Sequence, residues 1–403
     1  MPKHILVVSQ YFYPESFRIN DICCELVNRG YKVTVLTGIP NYPEGKFYPG
    51  YSWFKGRKET WNGVDIIRIP LIPRGKSSLG LIFNYFSFVI SGFFWQLFTG
   101  LKADCVFTFE VSPMTQALIG VWYAKRKKIP HCLYVQDLWP ENVEIVTGIH
   151  SKLVLTPISK MVDYIYKRCD KILATSPSFV TEICKRVTGA PEKVIYWPQY
   201  AEDFYVPVEK KPVAGIPEDG RCKIVFTGNI GQAQGLDVLP RAAKCLKERG
   251  IEDVCFVIVG GGRYKEQLLA DIAACGAEEM FVMVDRQPAE RIPEVLAACD
   301  AAFVSFMDDP LFEKTIPAKL QSYMACGMPV VAAAKGETER VIREAGCGVC
   351  SPIGDGEALA QNIIGLLKSA ELSAQAVRAR NYYEKHFDKK MLMDKLEEML
   401  FSR

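Results

Sequence analysis

Short apolar runs alternate with helical patterns almost from end to end of this chain, and the series starts twice. In the first half the runs are His4–Ser9, Lys32–Thr37, Asp65–Ile69, Asp104–Phe109, His131–Val135, Lys171–Thr175 and Lys193–Tyr196. Helical segments such as Arg18–Arg29 and Lys152–Arg168 lie between most of them. A stretch from Trp197 to Arg221, with four prolines and mixed charge, then reads as a linker. After it come Lys223–Thr227, Val254–Val259, Met280–Val284, Ala301–Ser305 and Pro329–Ala332. Strands that are apolar on both faces, with helices between them, specify parallel sheets covered on two sides. The expected class is therefore α/β, with two doubly wound halves and a ligand between them. Residues 1–200 are the expected first domain and 201–385 the second. The amphipathic segment Lys389–Ser402, within 386–403, is expected to return to the first domain.

Composition narrows the setting. A 403-residue chain has room for two domains, and 49% hydrophobic residues are too few for a polytopic membrane protein. A net charge of +3 gives no sign of nucleic-acid binding. Basic residues cluster locally, at Lys125–Lys128 and at Lys55, Arg57 and Lys58, and a solvated surface is the plain reading of both. Fourteen cysteines without a small-domain framework fit a reducing compartment. Cys347 and Cys350, a lone CxxC, read as strand packing. Lys3-His4 runs straight into a strand pattern, so no signal peptide is expected and the cytoplasm is the expected location.

One segment conflicts with that picture. Leu79–Leu101 holds 23 residues without a charge, and a helix of that length rises ~35 Å, enough to cross a bilayer. A crossing would put strands Asp65–Ile69 and Asp104–Phe109 of one sheet on opposite sides of the membrane. The sheet would not form. Asn84, Ser87, Ser91, Gln96 and Thr99 recur at helical spacing, whereas Phe83, Phe86, Ile90, Phe93, Phe94 and Leu97 fall on the other face. A helix buried in the fold explains an apolar face. The aromatic content, Trp95 included, with Arg74 and Lys76 before and Lys102 after, favours a helix lying in the lipid interface.

Candidate chemistry gathers in the second half. Gly228, Asn229, Ile230, Gly231 and Gln234 form a turn between a strand and a helix beginning near Leu236, where backbone N–H groups suit a phosphate. Gly260–Arg263 is a second such turn, and Arg286-Gln287 ends the next strand. In the stretch Phe312–Val331, Pro317 is expected in the first turn of a helix, with Thr315 near its cap. Lys319 then lies in that first turn, where a cation opposes the helix dipole, and a phosphate partner accounts for it. Arg18 opens a helix in the first half, and Glu110 and Asp137 follow strands there. The first strand leads into Gln10–Glu15, not GxGxxG, which disfavours a dinucleotide dehydrogenase. No Asp-x-Asp occurs, His131 and His150 make poor ligands, and Asp308-Asp309 is a poor metal site. No metal is expected.

Met324-Ala-Cys-Gly-Met-Pro-Val-Val331 after a Pro-x-Lys helix start, followed by Gly336-Glu337 and Gly346–Val349, resembles the donor domain of the retaining glycosyltransferases of family 4. Pro40–Gly45, Asp137-Leu-Trp-Pro-Glu141 and Ala174–Ser178 agree with it. The combination is similar to the WbuB-like subgroup, which adds aminodeoxy sugars such as N-acetyl-fucosamine to lipid-linked glycans. The resemblance implies a GT-B enzyme with two Rossmann-like domains, a UDP-sugar donor and a lipid-linked saccharide acceptor met at the cytoplasmic face of a bacterial inner membrane. It also implies transfer with retention and without a metal. Carried over residue by residue, it places the donor against the two glycine turns, Lys314, Lys319, Ser322 and Glu337. Phosphate charge would fall to Lys319, Arg263, Lys314 and backbone amides, because Asn229 and Gln234 stand where the family usually has Arg and Lys. The family's Glu-x7-Glu is also altered. Ser322 and Lys314 occupy those positions, and Glu313 and Gln321 are each one residue out. An epimerase of the same architecture, or a membrane-anchored nucleotide-binding scaffold without turnover, are the competing readings.

Overall fold

The computed structural model describes residues 2–401 apart from Lys76, Ile149 and Ala370. Lys76 of the basic flank and Ser402 of the last helix thus lie outside the described residues. The chain divides into two compact units, residues 1–197 with 393–403, and residues 198–392. The division falls three residues before the expected one. The return to the first unit begins at Met393, inside the helix Lys389–Leu400, and not at residue 386. In the first unit this end is held by Arg29, whose guanidinium pairs with Asp394 and Glu397 at 2.6 Å each.

The first unit is an eight-stranded sheet of β1 (His4–Val8), β2 (Lys32–Gly38), β3 (Lys58–Trp61), β4 (Val64–Ile69), β5 (Cys105–Glu110), β6 (His131–Val135), β7 (Lys171–Ala174) and β8 (Val194–Tyr196). Their order is β3-β4-β2-β1-β5-β6-β7-β8, parallel except for the β3–β4 hairpin. β3 was not expected, because Lys58-Glu-Thr-Trp61 is short, polar and at the sheet edge, where no apolar run is needed. The central strands β1, β5 and β6 are buried along almost their whole length, which is why they read as continuous apolar runs.

The second unit is a six-stranded parallel sheet of β9 (Cys222–Asn229), β10 (Val254–Gly261), β11 (Phe281–Val284), β12 (Ala301–Ser305), β13 (Val330–Ala333) and β14 (Gly348–Ser351), in the order β11-β10-β9-β12-β13-β14. The strand order reverses direction around β1 in one sheet and around β9 in the other. In such sheets the crevice for a ligand opens beyond the carboxyl end of the strand at the reversal. That places attention on Ser9–Tyr11 and Glu110 in the first unit, and on Gly228 and Asn229 in the second.

The uncharged segment forms a helix, α2 (Ser78–Phe98), between β4 and β5 of the same sheet. By length and apolarity it qualifies to cross a membrane, but its two flanking strands lie in one sheet. Its orientation inverts that of an ordinary surface helix. Asn84, Phe88, Val89, Gly92 and Gln96 face inward, and Leu79, Ile82, Phe83, Phe86, Ile90, Phe93, Phe94, Leu97 and Phe98 are exposed. Polar atoms explain the inward face. Gln10 Nε2 donates to Asn84 Oδ1 at 2.7 Å, and Asn84 Nδ2 donates to the Ile72 carbonyl at 2.6 Å. Gly92 allows a close approach to the helix α3 (Ala117–Lys127), since a Cβ there would stand 2.1 Å from Ile119 Cδ1. Arg126 of α3 caps the last carbonyls of α2, at Gln96, Leu97 and Thr99. Trp95 is half-buried and stacks on Tyr123, so it belongs to the inner side rather than to the exposed aromatic face assigned to it with Phe83, Phe86, Phe93 and Phe94.

Candidate active site

In the second unit the reversal around β9 brings two glycine turns together. Gly260 has φ +146°, and a Cβ on it would lie 1.9 Å from the Gly228 carbonyl oxygen, so the two strand ends run closer than any side chain allows. Beyond Gly228 the chain makes a one-turn 3-10 helix, Gln232–Gln234, before the helix Val238–Glu248, which starts two residues later than the pattern suggested. Ser305, at the end of β12, donates to the Gln234 carbonyl at 2.5 Å and fixes that turn. Ile230 has no amide to offer a ligand. Its N–H donates to the Gly261 carbonyl at 3.0 Å, and its side chain is buried.

The helix carrying the predicted lysine is Ala318–Ala325, with Pro317 at its cap. Thr315 is not the cap: its hydroxyl donates back to the Leu311 carbonyl at 3.0 Å, in the preceding short helix. Lys319 and Tyr323, four apart, share a face of this helix. The Thr227 N–H donates to the Tyr323 hydroxyl at 2.9 Å, which pins the helix to the end of β9. Lys319 is thereby carried to the glycine turn. Its Nζ lies 4.0 Å from where a Gly228 Cβ would stand and 4.1 Å from the Phe226 ring centroid, and it donates to Gln234 Oε1. Every one of these neighbours is neutral. Among the described residues no carboxylate acts on Lys319, and burial alone draws its pKa down to about 7. An amine set at a glycine turn among neutral groups has the chemistry to receive an anion.

The other predicted donor residues are placed less deeply. Arg263 and Arg286 are exposed, Lys314 is half-buried, and Gln287 donates to the Asp285 carbonyl at 3.1 Å. Asn229 is exposed beside Gly231. Glu337 is buried but already bonded to Arg340 at 2.7 Å. Ser322, also buried, spends its hydroxyl proton on the Ala318 carbonyl at 3.2 Å. Asp309 caps a short helix and Asp308 pairs with Lys335. Sequence reasoning missed Ser305, Tyr323 and Phe226, because a hydroxyl or a ring under a lysine leaves no spacing signal. Gln321 was noted only as out of register. It is fully buried with neither amide atom bonded.

In the first unit Asp137 and Glu110 come together at the carboxyl ends of β6 and β5. The Asp137 N–H donates to Glu110 Oε2 at 3.5 Å, and the Ser112 N–H and hydroxyl both donate to Asp137 Oδ2 at 2.7 Å. Ser112 Oγ in turn accepts from Trp139 Nε1 at 3.1 Å and Asn142 Nδ2 at 2.5 Å. Burial raises both acids. For Glu110 the neighbouring Asp137 charge adds to burial and lifts its pKa well above the carboxylate range, and Glu110 Oε1 has no partner. For Asp137 burial is opposed by the two Ser112 bonds. Glu110 is thus pushed further toward its protonated form than Asp137, whose carboxylate the Ser112 bonds support. Arg18 opens α1 (Arg18–Asn28), close enough to Tyr134 to act on its hydroxyl. His131 is buried against Thr108, and His150 meets Glu144 in a loop. A third acid was not expected: Glu15 is buried and accepts from the Asn41 and Tyr42 amides at 2.7 and 2.6 Å, with its pKa raised by burial to about 7.

Comparison with known proteins agrees with this reading. A family model described as glycosyl transferases group 1 matches residues 209–382, and one described as glycosyl transferase 4-like domain matches residues 16–198. A protein of Escherichia coli named as the colanic acid biosynthesis glycosyl transferase WcaI is 25% identical over 96% of this chain and 97% of its own. Among solved structures, a sucrose-phosphate synthase from Thermosynechococcus elongatus superposes with a TM-score of 0.74, at 16% identity over 98% of each chain. Anabaena HepE in complex with UDP gives 0.70, at 16% identity over 99% of each chain. With both halves matched, the chain belongs to the GT-B glycosyltransferases built from a 4-like domain and a group 1 domain, and it is an enzyme of that class.

Proposed function

We propose that the enzyme moves a sugar, an N-acetylated amino- or deoxyhexose, from a UDP-sugar to a polyprenyl-diphosphate-linked glycan in surface polysaccharide assembly. The observation that carries the donor half is Lys319, a half-buried amine at the glycine turns whose neighbours among the described residues are neutral. A nucleoside diphosphate leaving group supplies the missing negative charge, which grows as the glycosidic bond to it breaks. A fixed cation there stabilises the transition state more than the ground state. This lysine takes the place of a metal in the proposed reaction. The bond from the anomeric carbon to the β-phosphate oxygen breaks, the acceptor oxygen bonds that carbon on the same face, and the acceptor proton leaves with the diphosphate. Asp137, oriented by Ser112, is the group proposed to hold the acceptor hydroxyl, with Arg18 and protonated Glu110 beside that strand edge.

The names of relatives support the polysaccharide setting: WcaI for colanic acid, and AmsK of Erwinia amylovora for amylovoran, 28% identical over 44% of each chain. The acceptor half rests on α2. Nine large apolar side chains facing outward on one helix fit a surface lying in lipid, with Lys102 at its end. The proposed location is thus the cytoplasmic face of a bacterial inner membrane, held peripherally. Mass spectrometry of products from a panel of UDP-sugars with polyprenyl-diphosphate acceptors tests the whole reading. The expected product carries one added N-acetylated deoxyhexose. Acceptor-independent isomerisation of the donor would make the protein an epimerase, and UDP binding without turnover on any acceptor would make it a scaffold.

A further inference from the structure

A second apolar element stands next to α2, and the activity assigned above does not use it. Phe54 is 93% exposed at the tip of the loop before β3, and the neighbouring Trp53 is 46% exposed. The loop is not loose. Ser52 and Lys55 exchange backbone bonds at 3.0 and 3.4 Å, and the Ser52 hydroxyl accepts from the Phe54 and Lys55 amides at 3.3 and 3.1 Å. Trp53 Nε1 donates to the Leu71 carbonyl at 2.8 Å, and Arg57 Nη1 donates to the Trp53 carbonyl at 2.9 Å. A tight, bonded turn therefore holds a phenylalanine out into solvent, at a hydrophobic cost that nothing among the described residues of this unit offsets.

The same bonds connect the loop to α2. Leu71, which receives the Trp53 indole, is followed by Ile72, itself exposed. The Ile72 N–H donates to Ser87 Oγ at 2.9 Å, and its carbonyl accepts from Asn84. Ser87 lies on the edge of α2 between the inward Asn84 and the outward Phe83. The apolar surface thus runs from Phe83 and Phe86 past Ile72 to Trp53 and Phe54. Charge at the loop is of one sign at its tip. Lys55 and Lys58 are exposed and Arg57 is half-buried, whereas the one acid of this stretch, Glu59, is bonded to the buried Arg68 at 2.6 Å. An aromatic pair with an indole N–H fixed beneath it and lysines around it suits the headgroup region of an anionic bilayer.

We propose that the Trp53–Phe54 tip is a second membrane-inserting element, which enters the same anionic leaflet as α2 and fixes how the first unit is oriented on it. One helix lying in the interface leaves rotation about its own axis open, and a second contact away from that axis removes the freedom. The inference rests on the membrane reading of α2, and its test separates the two. Sedimentation with phosphatidylglycerol-containing vesicles is compared for the wild type, Phe54→Asp and the double variant Phe83→Asp, Phe86→Asp. Phe54→Asp is expected to weaken partitioning about tenfold, the loss expected when one large apolar side chain no longer leaves water. Its melting temperature is expected to stay at the wild-type value, since the side chain touches little. Phe54→Trp is expected to gain fluorescence quenching by lipids brominated on their acyl chains. A wild type that does not bind these vesicles overturns both readings. Vesicle binding lost in the α2 double variant but unchanged in Phe54→Asp, or no added quenching in Phe54→Trp, overturns the loop alone. A lipid-free dimer that Phe54→Asp dissociates would assign the surface to a second copy of the chain and also overturn it.

Discussion

The two sheets reverse their strand order in the same way, yet the edges at the reversals carry opposite chemistry. At the end of β9 the fold holds a half-buried base, Lys319, among neutral groups. At the ends of β5 and β6 it sets two acids, the buried Glu110 and the half-buried Asp137, one against the other. In each case burial pushes the group toward its uncharged form. Among the described residues no carboxylate acts on the lysine, so at pH above about 7 a bound anion would restore its charge. The acid pair is different: Ser112 restores one charge by hydrogen bonding, and the other acid stays protonated. In the proposed reaction one edge receives a diphosphate and the other holds a hydroxyl.

The sharpest way to break that contrast is Lys319→Ala. Loss of one preorganised cation at a developing charge is expected to lower kcat/KM by about 10²–10³. Full retention of activity would remove the phosphate role. Next comes Asp137→Asn, which keeps the shape and one acceptor oxygen. A fall in kcat of about 10², with little change in the KM for the UDP-sugar, is expected if this edge serves the acceptor hydroxyl. A change confined to the donor KM would instead place Asp137 on the donor.

The contrast also predicts opposite dependences on pH. With a pKa of about 7 in the free protein, Lys319 takes up a proton when UDP binds above that pH. The Kd for UDP should rise with pH above 7, at a limit of about tenfold per unit, and Lys319→Met should flatten the rise. Stability of the ligand-free protein follows the same linkage. A lysine lowered by folding binds fewer protons native than unfolded between about 7 and its ordinary value. Its contribution therefore becomes more favourable as pH rises through that window. Glu110, raised by folding, binds more protons native, so its contribution fades as pH rises from the ordinary carboxylate value. Melting temperatures measured against pH should show Lys319→Met and Glu110→Gln diverging from wild type in opposite senses. Parallel shifts would mean that one of the two environments is misassigned.

Much of this architecture could be read from residue order, because parallel strands buried on both faces leave unbroken apolar runs. β3 escaped because an edge strand has no such requirement, and Trp61 alone carried no period. Lys319 was legible because a cation in the first turn of a helix contradicts the dipole and so needs an explanation. The contacts that aim it were not. Ser305 and Tyr323 act through single hydroxyls on backbone atoms about seventy and a hundred residues away in sequence. No local pattern reports such a bond. The polar stripe on α2 was visible, but its meaning depended on Gln10 and Ile72 receiving it.

The smallest expected effect concerns Ser322, where the resemblance to family 4 implies a glutamate that would meet the nucleotide ribose. If the serine had taken over that task, its removal would cost a hydrogen bond to a sugar hydroxyl. Its proton is instead engaged with the Ala318 carbonyl, one turn back in its own helix, and the residue is buried. What remains is at most an acceptor lone pair, a contribution at the lower end of the range for a neutral bond, about 0.5 kcal/mol. Ser322→Ala should therefore raise the KM for the UDP-sugar by no more than about threefold, with kcat unchanged. Competition by UDP against deoxy-UDP gives the second readout. Equal sensitivity of wild type and variant to the missing 2′-hydroxyl would leave the ribose to some other group of this unit. A tenfold loss of affinity confined to the ribonucleotide would return the task to Ser322, and the comparison between the two edges would then need a polar contact added to a donor site drawn here around one lysine.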